Sequence, residues 1–226
     1  MDSLFNNVLL PQDIIDKFSL LKTNCKYKST LFEEPDTDTL ILVPSERCNL
    51  KCKYCYETEK SPLRVDFDTA IAAISKKFSE LPLENKLKIE FRGGEPFLEF
   101  SIIKKICNWT FENYKNENYF FYAISNGTCF SEESKQWLAK NKERFIVALS
   151  IDGEKKTQDA NRSNSFDLID FQFIYNTWNN PYAFTTLLPE NANSIFRDLL
   201  FLLKNGFTIR ANFEIVHTWN RKQLYE

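Results

Sequence analysis

The sequence predicts an α/β protein whose parallel sheet is built from repeated strand–helix units. Three observations carry this. Six apolar runs of strand length recur along the chain. Stretches with apolar residues at helical spacing separate them, which is the alternation of βαβ units. Several runs are near-continuous rather than alternating, as expected for strands covered on both faces. Such a sheet can stay open or curl into a barrel.

The elements follow in order. Residues 1–38 stand apart as an N-terminal segment and linker. QDIIDKFSLL has the pattern of a short amphipathic helix, and EEPDTDT (33–39) reads as a polar turn or linker. The core domain then occupies 39–226. Its strands are expected at TLILVP (39–44), KLKIEF (86–91), YFFYAIS (119–125), RFIVALS (144–150), YAFTTLL (182–188) and TIRANFEIV (208–216). DFDTAIAAISKKFSEL places Ile71, Ile74, Phe78 and Leu81 at helical spacing behind a capping Asp66 or Asp68. SIIKKICNWTFENY begins a second helix at Ser101, and SEESKQWLAKN a third at Ser131 with an acidic first turn. SFDLIDFQFIYNTW is a fourth, and NSIFRDLLFLLKNG ends at a C-cap glycine, Gly206.

Composition narrows the function classes. With 43% hydrophobic residues, including 21 Phe, the chain can build a core without disulfide staples. A net charge of −2, with no run of about five like charges, gives a nucleic-acid partner no support. The N-terminus lacks the basic region of a signal peptide, and no run approaches the roughly 20 apolar residues of a membrane span. The expected location is the cytoplasm, where clustered cysteines are more often metal-binding or catalytic than disulfide-bonded.

In parallel α/β folds chemistry gathers at the carboxyl ends of strands. The first strand is followed by SERCNLKCKYC, the second by RGGEP (92–96), the third by NGT (126–128), and the fourth ends in SIDG (150–153). Cys48, Cys52 and Cys55 lie within eight positions, too dense for packing alone. Structural zinc wants four closed ligands, commonly from two separated pairs. An iron–sulfur cube held by three cysteines keeps one iron open. Gly93 and Gly94 allow close backbone approach, and Glu95 can meet a ligand ammonium. Ser125, Asn126, Ser150 and Asp152 bring hydroxyl, amide and carboxylate groups to the same rim. Arg162, in DANRS, can pair with a carboxylate as a bidentate fork. Each of these also has a plainer reading, as a turn or a surface ion pair.

CNLKCKYC, FRGGEPFL and ALSIDGEKKTQDANR together resemble the radical S-adenosylmethionine (SAM) superfamily. The resemblance covers about residues 38–218. The last segment is similar to that of its SPASM-type peptide maturases and anaerobic sulfatase-maturating enzymes. It implies a partial (β/α)6 barrel, with Cys48, Cys52 and Cys55 holding a [4Fe–4S] cluster and SAM on the fourth iron. It implies further that Tyr54 packs near the adenine, that Gly93, Gly94 and Glu95 receive the methionine ammonium, and that Ser150 and Asp152 touch ribose or carboxylate. Arg162 would bind the carboxylate, and Ile215 or Val216 would flank the adenine. The implied reaction cleaves SAM reductively to a 5′-deoxyadenosyl radical, which takes hydrogen from a substrate, foremost a peptide or protein side chain. A flavodoxin- or ferredoxin-like protein would supply the electron. Alternatives are a small-metabolite substrate, activation of a partner enzyme, and a truncated, non-catalytic core that binds metal or a partner.

Two departures qualify the resemblance. Gln158 stands where those maturases often carry a histidine. Their cysteine-rich auxiliary-cluster domain also has no counterpart in this sequence, so the expectation is a minimal core, a truncated chain, or a core whose open side a partner subunit closes. Of the other cysteines, Cys107 is expected in the core, Cys129 lies near the rim, and Cys25 is unassigned. The single histidine, His217, is expected to be structural. The N-terminal segment is a candidate for recognising a leader peptide.

Overall fold

The computed structural model describes residues 37–214 apart from 58, 62 and 83. The sequence calls on residues 1–36, including Cys25, and on Ile215, Val216 and His217 lie outside the described residues. Six strands form one all-parallel sheet in chain order: β1 Thr37–Ser45, β2 Lys86–Gly93, β3 Tyr119–Ser125, β4 Phe145–Ser150, β5 Tyr182–Leu187 and β6 Thr208–Phe213. Among the described residues β1 and β6 are the two edge strands of this sheet. The architecture is therefore a partial, TIM-like barrel. No helix among the described residues is long and apolar enough to cross a membrane.

Among the described residues six α-helices make the crossovers: α1 Phe67–Glu80, α2 Phe100–Asn113, α3 Glu132–Asn141, α4 Lys155–Asn161, α5 Phe171–Thr177 and α6 Ile195–Lys204. Three starts are fixed by side chains. Asp66 accepts from Thr69 N, Ser131 from Ser134 N, and Asp170 from Phe173 N. Each satisfies an amide left free by the first helical turn. Ser101 does not cap α2, because a short 3-10 turn over Pro96–Glu99 leads directly into it.

The helices cover the outer face of the sheet. There Phe91, Phe121 and Phe145 stack as a row across β2, β3 and β4, each fully buried. Cys107 is buried in the same cluster, as expected. The inner face is different. β3 and β5 alternate between buried and partly exposed residues, while β2 is buried almost throughout. The expectation of strands covered on both faces therefore holds for β2 and fails for β3 and β5, because helices cover one side of an open barrel only.

Two further points differ from expectation. The fourth helix is split: a 3-10 turn at Phe166–Leu168 precedes α5, whose cap is Asp170. Helix α4 was not foreseen. β6 is described over Thr208–Phe213, and residues 215 and 216 of its expected span lie outside the described residues.

Candidate functional site

The loop after β1 is fastened first to β2. Gly94 N donates to Ser45 O (3.1 Å) and Glu95 N to Arg47 O (2.8 Å). A Cβ on Gly94 would lie 2.2 Å from the Arg47 carbonyl oxygen. One on Gly93, whose φ is +118°, would lie 2.4 Å from that of Ser45. The close approach these glycines permit is made to the start of the cysteine loop, so they set where the thiols begin.

Glu95 then ties this junction to β3. Its Oε1 accepts from Phe97 N (3.0 Å) and Ser125 Oγ (2.8 Å), and its Oε2 from Asn126 N (2.7 Å). Burial pushes its carboxyl up to about 7, against the pull of these three donors. Asn126 carries the connection back to the cysteines. Its Nδ2 donates to Asn49 Oδ1 (2.9 Å) and lies 3.8 Å from Cys48 Sγ. Asn49 Nδ2 in turn donates to Thr128 Oγ1 (2.8 Å).

The other wall centres on Asp152, just past β4. Tyr54 Oη (2.6 Å) and Asn161 Nδ2 (3.1 Å) donate to its Oδ2. Arg162 Nη2 (3.0 Å) and Thr186 N (3.1 Å) donate to its Oδ1. One carboxylate thus gathers the cysteine loop, α4 and β5. Burial alone would lower the Arg162 pKa, but Asp152 outweighs it, so the guanidinium stays charged beneath the Tyr54 ring. Burial pushes the Tyr54 phenol far up, which keeps it a neutral donor. The β4 end is held by Gln158, whose Oε1 accepts from Asp152 N (2.9 Å). Its Nε2 donates to Ser165 Oγ (3.1 Å) and reaches Ser150 O (3.4 Å). The residue in the histidine's place therefore positions the strand end. Asp198 of α6 accepts from Glu154 N and Thr157 Oγ1, pinning the SIDG loop from outside.

The cysteine loop bridges both walls. Lys53 N donates to Asn161 O (2.9 Å) and Lys51 N to Ser163 Oγ (3.0 Å). Cys48, Cys52 and Cys55 are all partly exposed. Burial raises the Cys52 thiol pKa, Arg162 opposes that shift, and the Cys48 and Cys55 thiols add to it. The three sulfurs are thus electrostatic neighbours. Among the described residues no three His, Cys, Asp or Glu side chains converge tightly enough for one metal ion. In an iron–sulfur cluster each of three neighbouring thiolates takes a different iron. Arg162 Nε is buried and has no partner among the described residues, a spare cationic donor next to Cys52. Cys129 is within electrostatic reach of Cys48 and Glu95, and its Sγ lies 3.7 Å from Thr128 Oγ1.

The sequence reading of the rim thus brought together Tyr54, Gly93, Gly94, Glu95, Ser125, Asn126, Ser150, Asp152 and Arg162. It missed Asn49, Gln158, Asn161 and Thr186. Asn49 and Thr186 give no signal beyond position. Gln158 and Asn161 lie on α4, whose buried side is polar.

A half-barrel with three thiols on the loop after its first strand is a cluster-binding α/β core. A family model described as "4Fe-4S single cluster domain" matches residues 39–175, more than half of the chain. The chain belongs to this family, within the radical SAM superfamily. It is 36% identical over 157 residues to an uncharacterized protein of Methanocaldococcus jannaschii, covering 67% of this chain and 53% of that one. It is 28% identical over 169 residues to the cysteine-type anaerobic sulfatase-maturating enzyme of Clostridium novyi (68% and 44%). Among solved structures, native anSMEcpe with bound AdoMet and Kp18Cys peptide superposes with a TM-score of 0.69 at 22% identity, covering 79% of this chain and 52% of that one. The chain spans about half the length of these relatives.

Proposed function

We propose that residues 39–226 form a radical SAM core that acts on a peptide or protein side chain. Cys48, Cys52 and Cys55 would hold the cluster. When bound, the cluster and SAM would supply reductive one-electron cleavage of the C5′–S bond and, through it, hydrogen-atom abstraction from the substrate. The chain's own residues orient and enclose. Arg162, charged and with Nε to spare, would receive the SAM carboxylate. Tyr54 would be held by Asp152 as part of the wall. Glu95, Ser125 and Asn126 would keep the second wall at a fixed distance from the thiols. Val216 would lie at the adenine.

The observation that carries this reading is the spare buried donor of Arg162 beside three thiols at the mouth of a parallel half-barrel. A peptide or protein substrate is favoured by the family relatives, one a sulfatase-maturating enzyme and another solved with a peptide. A flavodoxin- or ferredoxin-like electron donor, a partner subunit at the open side and leader-peptide recognition by residues 1–38 belong to the same proposal.

The test is anaerobic reconstitution followed by SAM and a strong reductant. The expected result is ~4 irons per chain and formation of 5′-deoxyadenosine, both lost in Cys52→Ala. Absence of 5′-deoxyadenosine from iron-loaded wild-type protein overturns the reading. Deleting residues 1–37 tests the leader-peptide role, and unchanged peptide affinity sinks it.

A further inference from the structure

Below the rim, the inner wall carries charges that the cofactor reading does not use. Lys88 and Glu90 pair in register with Phe120 and Tyr122 on β3, so all four share a face. Ala148 and Ser150 pair with Tyr182 and Phe184, which pair in turn with Thr208 and Arg210. On β1 the same face shows Ile41 and Val43, 48% and 42% exposed, so the concave side is open there. The charges converge across the concavity. Tyr122 interacts electrostatically with Glu90, Arg210, Tyr182 and Arg92, which come from three other strands.

The charges do not balance. The Glu90 carboxylate is buried and saturated: Lys88 Nζ lies 3.2 Å from Oε2, and Arg92 Nε pairs with Oε1. Lys88 also lies over the Tyr122 ring, 5.6 Å from its centroid. Burial, then Glu90, pushes the Tyr122 phenol far up, so it adds no negative charge. Among the described residues Arg210 has no carboxylate at salt-bridge distance, and Arg92 has only Glu90, which it shares with Lys88. Among the described residues Lys88 and Arg92 thus share the Glu90 carboxylate and Arg210 is at salt-bridge distance of none, which leaves this part of the wall attractive to an anion. Arg92 keeps 46% of its side chain exposed, and Arg210 is exposed.

We propose that this inner wall is a carboxylate-binding site, in which Arg92 and Arg210 receive an acidic group of the substrate. Glu90 fixes the Arg92 guanidinium through Nε and leaves its terminal amino groups for a second carboxylate. Two guanidinium forks suit that group better than a single ammonium does. Arg92 immediately precedes Gly93, so the bound acid would sit just under the cysteine loop, with neighbouring carbons facing the cofactor. The proposal rests on the reading of the barrel as the substrate chamber and narrows the substrate to one with an acidic residue or a free C-terminus near the reacting carbon.

The test is calorimetric titration of the reconstituted full chain with three tripeptides: Ac-Ala-Glu-Ala-NH2, Ac-Ala-Gln-Ala-NH2 and Ac-Ala-Gln-Ala-OH. At least tenfold tighter binding of the first or the third over the second is expected, and which one prevails identifies a side-chain or a C-terminal carboxylate. The double variant R92Q/R210Q should abolish the preference, and R92K/R210K should retain part of it. Visible cluster absorbance and circular dichroism establish that each variant is folded. Equal binding of all three peptides, no binding up to millimolar concentration, or an unchanged preference in a folded R92Q/R210Q overturns the proposal. Binding is read without SAM cleavage, so the radical reading can fail while this one stands, and the reverse.

Discussion

The rim and the inner wall lie a few residues apart on the same strands, yet they are built in opposite ways. At the rim the two buried carboxylates are filled by fixed donors: Asp152 takes four and Glu95 three. On the inner wall, among the described residues, two cations share the Glu90 carboxylate and Arg210 has no acid at salt-bridge distance. A saturated network fixes geometry, which is what a cofactor of constant shape needs. An unbalanced wall leaves attraction to spare, which is what a variable substrate needs.

The contrast can be broken at the rim first. Asp152→Ala strands the buried Arg162 charge and frees Tyr54 and Asn161, so unfolding stability should fall by about 3–5 kcal/mol, read by chemical denaturation. Asp152→Asn should cost less, since it keeps an acceptor for Tyr54.

The next effect is a pH dependence. Glu95 has a folded pKa of about 7 against an ordinary 4.5. Because the folded value is the higher, its favourable contribution is complete below about pH 4.5 and is lost as pH rises through 7. The loss amounts to about 3 kcal/mol at alkaline pH. In the apoprotein, Glu95→Gln should flatten that part of the stability–pH curve. An unchanged difference between the two proteins from pH 5 to 9 would show that Glu95 does not titrate there.

Gly94→Ala follows, at about 1–3 kcal/mol. Its Cβ meets the Arg47 carbonyl, so iron content per chain should fall further than stability does. The smallest effect belongs to the wall. Lys88→Met removes one of Glu90's two cations while Arg92 remains, and should cost under about 2 kcal/mol. The sheet and the cluster should be intact by circular dichroism and visible absorbance.

The sequence was most informative where local chemistry and fold agree. Six apolar runs separated by helical stretches marked the six strands and put four polar loops on one rim. Asp66 and Ser131 proved to be caps because Asp and Ser side chains satisfy free amides wherever the chain enters a helix. Helix α4 was illegible for a physical reason. Its buried residues are Thr157, Gln158 and Asn161, so it has no apolar period to detect. The split before α5 was hidden because apolar residues run through it on both sides of Asp170. The inner-wall charges were in view, as Lys86, Lys88, Glu90 and Arg92 at every second position, but KLKIEF was read for its apolar residues. That alternation marks a strand with one polar face, which in β2 lies beside exposed Ile41 and Val43 on β1.

The ties of the cysteine loop also set an order of events in biosynthesis. Cys48, Cys52 and Cys55 leave the ribosome before the residues that house them. The groups that shape their loop lie far downstream: Asn126 beside Cys48, Asp152 on Tyr54, and Ser163 on Lys51, separated by 78, 98 and 112 residues. Contacts this distant close only after the intervening β2, β3 and β4 have been made. The thiols are therefore exposed as a loose triplet well before their housing exists. Insertion of iron and sulfide into the finished geometry belongs after synthesis of the fourth strand–helix unit, and metal captured earlier would find the triplet without its walls.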